Sequence, residues 1–160
     1  MTARTAPSAA EFYPSLAATA FGRVLGAAME CLPLSFGRVK LSYLLFGPIV
    51  VPLAVAAYAM QKIFGERYAV TDRSVERWPV IGGKRREAVP LAQVGGADVR
   101  VRTGQSFYDA GDVVLRYADG RELATLAGLQ RPRRVCETIV EAADAARRTS
   151  AVAERVANRA

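Results

Sequence analysis

The chain has 160 residues, room for about one domain once any membrane segment is subtracted. Apolar residues make up 51% and charged residues 23%, a folding rather than a disordered composition. The net charge is +7 and histidine is absent, which removes the commonest metal ligand and the commonest general base together, while Cys31 and Cys136 alone offer neither a CxxC motif nor a disulfide framework.

Residues 1–60 carry four basic and two acidic side chains, and residues 61–160 carry 18 and 13. The positive excess therefore sits in the second part. It would favour an anionic lipid surface, a nucleic acid or an acidic partner. Because those basic groups are dispersed among so many acidic ones, with no recognition helix or stacking platform, nucleic acid is not an expected partner.

In chain order, MTARTAPSAAEF is small and polar and predicts a loose tail over residues 1–14. From Ser15 to Cys31 a helical wheel gathers Thr19, Arg23, Gly26 and Glu30 in one stripe, with Phe21, Val24, Leu25, Ala28 and Met29 elsewhere. That is an amphipathic helix, too short to span a bilayer and interrupted by Arg23, which also argues against a signal peptide. Gly22-x-x-x-Gly26 within it matches a helix-packing spacing, with the following segment as the neighbour.

Leu41–Met60 then runs without a charge between Lys40 and Lys62, and 20 helical residues at 1.5 Å each match the hydrocarbon core of about 30 Å. With Tyr43 and Tyr58 near its ends it predicts a transmembrane helix, kinked at Pro48 and Pro52, or a re-entrant hairpin turning at Phe46-Gly47-Pro48. A long buried helix of a soluble α+β domain is the competing reading. Basic residues flank both ends almost equally, so orientation is not fixed by charge.

Beyond Met60 the period changes to two. ERYAVT, SVERWPV, KRREAVPL, ADVRVRT, DVVLRYA and RELATLA predict about six strands separated by Gly- and Asp-containing turns, with Asp119-Gly120 as a two-residue hairpin. They are expected to form one bent antiparallel sheet or partial barrel over residues 66–127. Val135, Cys136, Ile139, Val140, Ala143 and Ala146 recur at three and four residues after Pro132, a helix that should cap the sheet and end near Arg148, leaving 149–160 helical or frayed.

Strands followed by one helix is the element order of a pleckstrin-homology-like domain. ERYAVTDRSVERW with its Gly-Gly turn, REAVPLAQVGGADVRV, GDVVLRYADGREL and LQRPRRVCETI resemble the bacterial pleckstrin-homology-like family of membrane-anchored domains, over residues 62–147. The resemblance implies an α+β domain behind a membrane anchor, on the cytoplasmic side of the cell membrane, that binds or scaffolds and does not catalyse.

Candidate site residues follow from charge and loop position. Arg77, Lys84, Arg85 and Arg86 gather around the Gly82-Gly83 turn, where they could meet an anionic lipid headgroup or acidic partner or simply be solvated. Phe107 and Tyr108, adjacent aromatics in a loop, could contact a partner or pack beneath the loop. Asp109 and Asp112 are the nearest carboxylate pair, but two turn-forming aspartates make a poor metal site. Arg131, Arg133 and Arg134 open the last helix, where positive charge opposes the helix dipole and a phosphate is conceivable. No catalytic residue, metal site or cofactor is expected. The expected partners are membrane lipid and other membrane proteins, and two functions compete: a lipid- or peptide-binding module, and an accessory or assembly subunit of a larger membrane complex.

Overall fold

A computed structural model describes residues 10–31, 35–36 and 39–157. Two antiparallel sheets and a long C-terminal helix enclose one core, and a helical layer is attached through the N-terminal segment.

The first sheet is built from β1 (Ala10–Phe12), β4 (Glu66–Val70), β5 (Ser74–Pro79) and β6 (Glu87–Pro90), in that order. β1 comes from the segment expected to be loose: it pairs antiparallel with β4, Ala10 opposite Val70 and Phe12 opposite Tyr68. The second sheet is the meander β7 (Gly96–Arg100), β8 (Ala110–Arg116) and β9 (Glu122–Gln130). All six strands expected after residue 66 are present, divided between two sheets where one bent sheet was expected. β7 keeps its predicted alternation, with Asp98 and Arg100 exposed and Val99 turned inward. The β8–β9 turn takes three residues rather than two: Tyr117 N donates to Arg121 O at 2.9 Å, and of Ala118, Asp119 and Gly120 only Gly120 has positive φ, +85°.

α3 (Pro132–Ala157) follows at once and lays Val135, Ile139 and Ala143 on β7, β8 and the 3-10 turn at Leu91–Gln93. Its four-residue spacing makes that stripe continuous, and Ile139 is fully buried. Beyond Arg147 the described side chains are exposed while the helix continues to Ala157.

The helical layer consists of α1 (Ala20–Glu30), the two-residue strands β2 (Ser35–Phe36) and β3 (Val39–Lys40), and α2 (Leu41–Phe64). Thr19 caps α1, its Oγ1 accepting from Gly22 N at 3.0 Å. The buried side of α1 is Gly22, Leu25, Gly26 and Met29, while Phe21 and Val24 are exposed. Gly26 was expected on the polar stripe and Val24 on the apolar one; the tertiary contact selects a different face. A Cβ on Gly26 would lie 2.1 Å from the Gly104 carbonyl oxygen and one on Gly22 1.9 Å from that of Leu16, so the two glycines admit a loop of the second sheet and the turn at Leu16–Ala18 rather than a second helix.

The expected transmembrane helix is not upheld. The backbone is helical from Leu41 to Phe64 through both Pro48 and Pro52, which also excludes the re-entrant hairpin. Among the described residues, however, no helix is long and apolar enough to cross a membrane. The charge-free stretch of α2 ends before Lys62. There the helix is fastened to the domain. Gln61 Nε2 donates to the carbonyls of Pro14 (3.1 Å) and Ser15 (2.8 Å), and Lys62 Nζ lies over the rings of Tyr13 and Tyr58, so Tyr58 serves a cation–π contact. Nor is α2 the long buried helix of the competing reading, since Val51, Leu53, Val55 and Met60 are all exposed.

Candidate functional site

The basic hairpin is the site that charge and turn position single out. Gly82 and Gly83, both at positive φ, let the chain reverse between β5 and β6 and bring Lys84, Arg85 and Arg86 back along Arg77. The four cations do not form an open patch. Arg77 Nε donates to Glu66 and its Nη1 lies 3.7 Å from Glu87; Arg86 Nη1 reaches the other Glu66 oxygen at 2.7 Å. Arg85 Nη1 pairs with Glu76 at 2.7 Å, and the same carboxylate accepts from Trp78 Nε1 at 2.9 Å. Burial pulls the Arg77 guanidinium down, but the Glu66 hydrogen bond, Tyr68 and the two neighbouring carboxylates outweigh it and leave its pKa raised. Three carboxylates thus stand among four cations, and Lys84 alone of the four is in no ion pair among the described residues. Periodicity located the hairpin, but Glu66, which bridges two arginines, lies on a strand 11 residues before Arg77 and carries no local signal.

Phe107 and Tyr108 lie in a 3-10 turn (Ser106–Tyr108), their rings edge to face at 4.9 Å between centroids. Both are half-buried. The Tyr108 ring approaches α1 at Gly26, and burial raises its hydroxyl pKa. The pair therefore belongs to the joint between the second sheet and the helical layer.

Asp109 closes the same turn, and Asp112 follows it on β8. Asp109 has a left-handed backbone (φ +49°) and faces outward. Asp112 is buried, accepts two hydrogen bonds, from Gln105 Nε2 at 2.6 Å and Gly128 N at 2.9 Å, and forms an ion pair with Arg102 Nε at 2.7 Å. Gln105 extends the network, its Oε1 accepting from Arg102 N at 2.7 Å. A carboxylate so fully committed to internal donors is a structural keystone. Among the described residues no three His, Cys, Asp or Glu side chains converge as a metal site would need.

Two surface features remain beside the hairpin. One is the apolar exterior of α2. Only Ala54, Ala57 and Gln61 of its described second half are half-buried, and they share the face that packs on α1. The rest of the circumference, Val51, Leu53, Val55, Tyr58, Met60, Ile63 and Phe64, is exposed, and Phe21 and Val24 of α1 add to the same apolar layer. The other is a cavity of about 560 Å³ at the start of α3, treated below. No family model, curated protein or solved structure matches this chain.

Proposed function

We propose that the chain is a non-catalytic accessory or assembly subunit of a larger membrane protein complex, with α2 docking against apolar helices of a partner subunit. The observation that carries the reading is the exposed apolar exterior of α2, held firmly at its base. Soluble surfaces seldom present large contiguous apolar areas, and such areas mark interaction sites. A loosely tethered apolar helix would turn inward. Here the Gln61 hydrogen bonds and the Lys62 stack fix the helix to the N-terminal segment, and its prolines disfavour repacking along the sheets.

Membrane partners are favoured over polar ones by the side chains themselves. The described exterior carries no charge between Val51 and Met60, whereas ordinary transient interfaces are about as polar as the rest of a surface. The absence of histidine from the sequence supports the non-catalytic part of the reading, and the element order of the second half supports kinship with pleckstrin-homology-like scaffolds.

The test is site-specific photocrosslinking in cells. A benzoylphenylalanine replacing Val55 should give a discrete adduct to one other polypeptide of the membrane fraction, and one replacing the exposed Lys84 should not. The pair Leu53→Glu and Met60→Glu should abolish the adduct with unchanged thermal melting. Recovery of the wild-type chain alone at 17.2 kDa after mild solubilisation, with no adduct at position 55, would falsify the proposal.

A further inference from the structure

The cavity at the start of α3 lies between the end of β7, the turn at Ser106–Tyr108 and the first turn of the helix. At about 560 Å³ it falls within the range of small-molecule sites, roughly 300–1,000 Å³. One wall is apolar, made by Val99, Val101 and Pro132; the other carries Arg131, Arg133, Arg134 and Ser106.

The arginines here differ from those of the sheets. Arg77, Arg85, Arg86, Arg100, Arg102, Arg116 and Arg121 each face a carboxylate within 4 Å. Arg131, Arg133 and Arg134 line the cavity, all three are exposed, and none of them has an ion-pair partner among the described residues. The first turn of α3 contains no acidic side chain to offset them. The backbone holds this arrangement in place: Arg131 sits at φ +48°, its amide donating to the Asp109 carbonyl at 3.0 Å and its carbonyl accepting from Arg134 N at 3.0 Å. Asp109 is the one carboxylate lining the cavity, so three positive charges against one negative leave two uncompensated.

From the cavity, its unpaired arginines and its apolar wall together, we infer that this is a binding site for a phosphomonoester carrying an apolar substituent. The phosphate dianion, at about −1.5 to −2 near neutral pH, matches the two excess charges. Guanidinium groups bind phosphate oxygens in paired hydrogen bonds, whereas the Ser106 hydroxyl donates to Glu30 Oε2 at 3.2 Å. Val99, Val101 and Pro132 would hold the substituent. A soluble phosphomonoester and the headgroup of a phosphatidic acid share this chemistry, and the two are separable experimentally.

The full chain is titrated with inorganic phosphate and with phenyl phosphate, and is sedimented with phosphatidylcholine vesicles with and without phosphatidic acid. Phenyl phosphate should saturate and bind more tightly than inorganic phosphate. Arg133→Ser with Arg134→Ser should weaken it at least about tenfold, and Asp109→Asn, isosteric and tolerant of the left-handed backbone, should strengthen it. The control Arg73→Ser with Lys84→Ser removes the same charge elsewhere and should change affinity less than about twofold. Vesicle binding that depends on both phosphatidic acid and Arg133/Arg134 assigns the lipid source; phenyl phosphate binding without it assigns a soluble one. Failure of phenyl phosphate and of phosphatidic acid vesicles alike to bind at millimolar phosphate, or an equal loss in the control variant, overturns the site.

Discussion

Val113, Val114 and Leu115 of β8 and Val51, Leu53 and Val55 of α2 are the same kinds of side chain in opposite surroundings. The first three are at most 1% exposed; the second three are between 50% and 62% exposed. β8 lies between β7 and β9, with α3 over one face and the turn at Leu16–Ala18 over the other. The described second half of α2 is covered only along Ala54, Ala57 and Gln61. An apolar side chain contributes to folding only when a second element closes over it, at roughly 25 cal/mol per Å² removed from water. In the sheet domain that closure comes from the chain itself. In the helical arm the described exterior of α2 has no such cover within this chain.

The comparison breaks most directly through truncation on each side. Ile139, fully buried between α3 and the sheets, should lose about 2–5 kcal/mol on change to Ala, the cost of lost burial plus the cavity left behind. Leu53→Ala on α2 should stay within about 0.5 kcal/mol. Urea unfolding of the full chain measures both. A Leu53→Ala loss as large as that of Ile139→Ala would mean α2 is buried within this chain after all.

A smaller effect separates the two aspartates of the turn. Asp112→Ala leaves Gly128 N, Gln105 Nε2 and the Arg102 guanidinium without their acceptor and should destabilise by about 1–3 kcal/mol, whereas Asp109→Asn keeps an outward polar side chain and should be near neutral. Thermal melts decide this. Equal losses would show that Asp112 is not what ties the turn to β9.

Which parts of this were legible in sequence follows from the range of the interactions. Strands β4 to β9 and the inward stripe of α3 are local patterns of period two or near four, and they appear where the alternation of Val99 against Asp98 and Arg100 and the spacing of Val135, Ile139 and Ala143 place them. β1 was not visible, because Ala10–Phe12 becomes a strand only by pairing with β4 nearly 60 residues later. The transmembrane expectation is overturned because no helix among the described residues is long and apolar enough to cross a membrane, and the attachment of Gln61 and Lys62 to residues 13–15 carries no local sequence signal. At the hairpin the cations were visible and their neutralisation was not, since Glu66 belongs to a different strand. The three arginines at α3 stand out in the sequence as a charge anomaly, whereas Val99 and Val101, which line the cavity, show there only as strand alternation.

The two thiols give the finest reading of the comparison, because each region carries one. Cys31 follows α1 in the helical layer and is exposed; Cys136 lies on the buried face of α3. Burial pushes the Cys136 thiol from 9.0 up to about 11, with Asp98 and Glu137 adding in the same direction. The thiolate is the nucleophile, so an alkylating reagent at pH 8 should modify Cys31 readily and Cys136 only in urea. The same shift has a consequence for stability. Below pH 9 the thiol is protonated in both folded and unfolded chains and its contribution is fully present. Between pH 9 and about 11 the unfolded chain releases this proton while the folded one retains it, so the folded state binds more protons and its stability falls as pH rises. Tyr68, also raised by burial, bends the curve in the same direction above pH 10. Cys136→Val removes the thiol while keeping the volume, so the difference between wild type and variant isolates it: their stabilities should run parallel up to pH 9 and converge or cross from there to pH 11. Parallel curves throughout, or rapid alkylation of both cysteines in the folded chain, would place Cys136 in contact with water and dissolve the contrast between a closed sheet domain and an open arm.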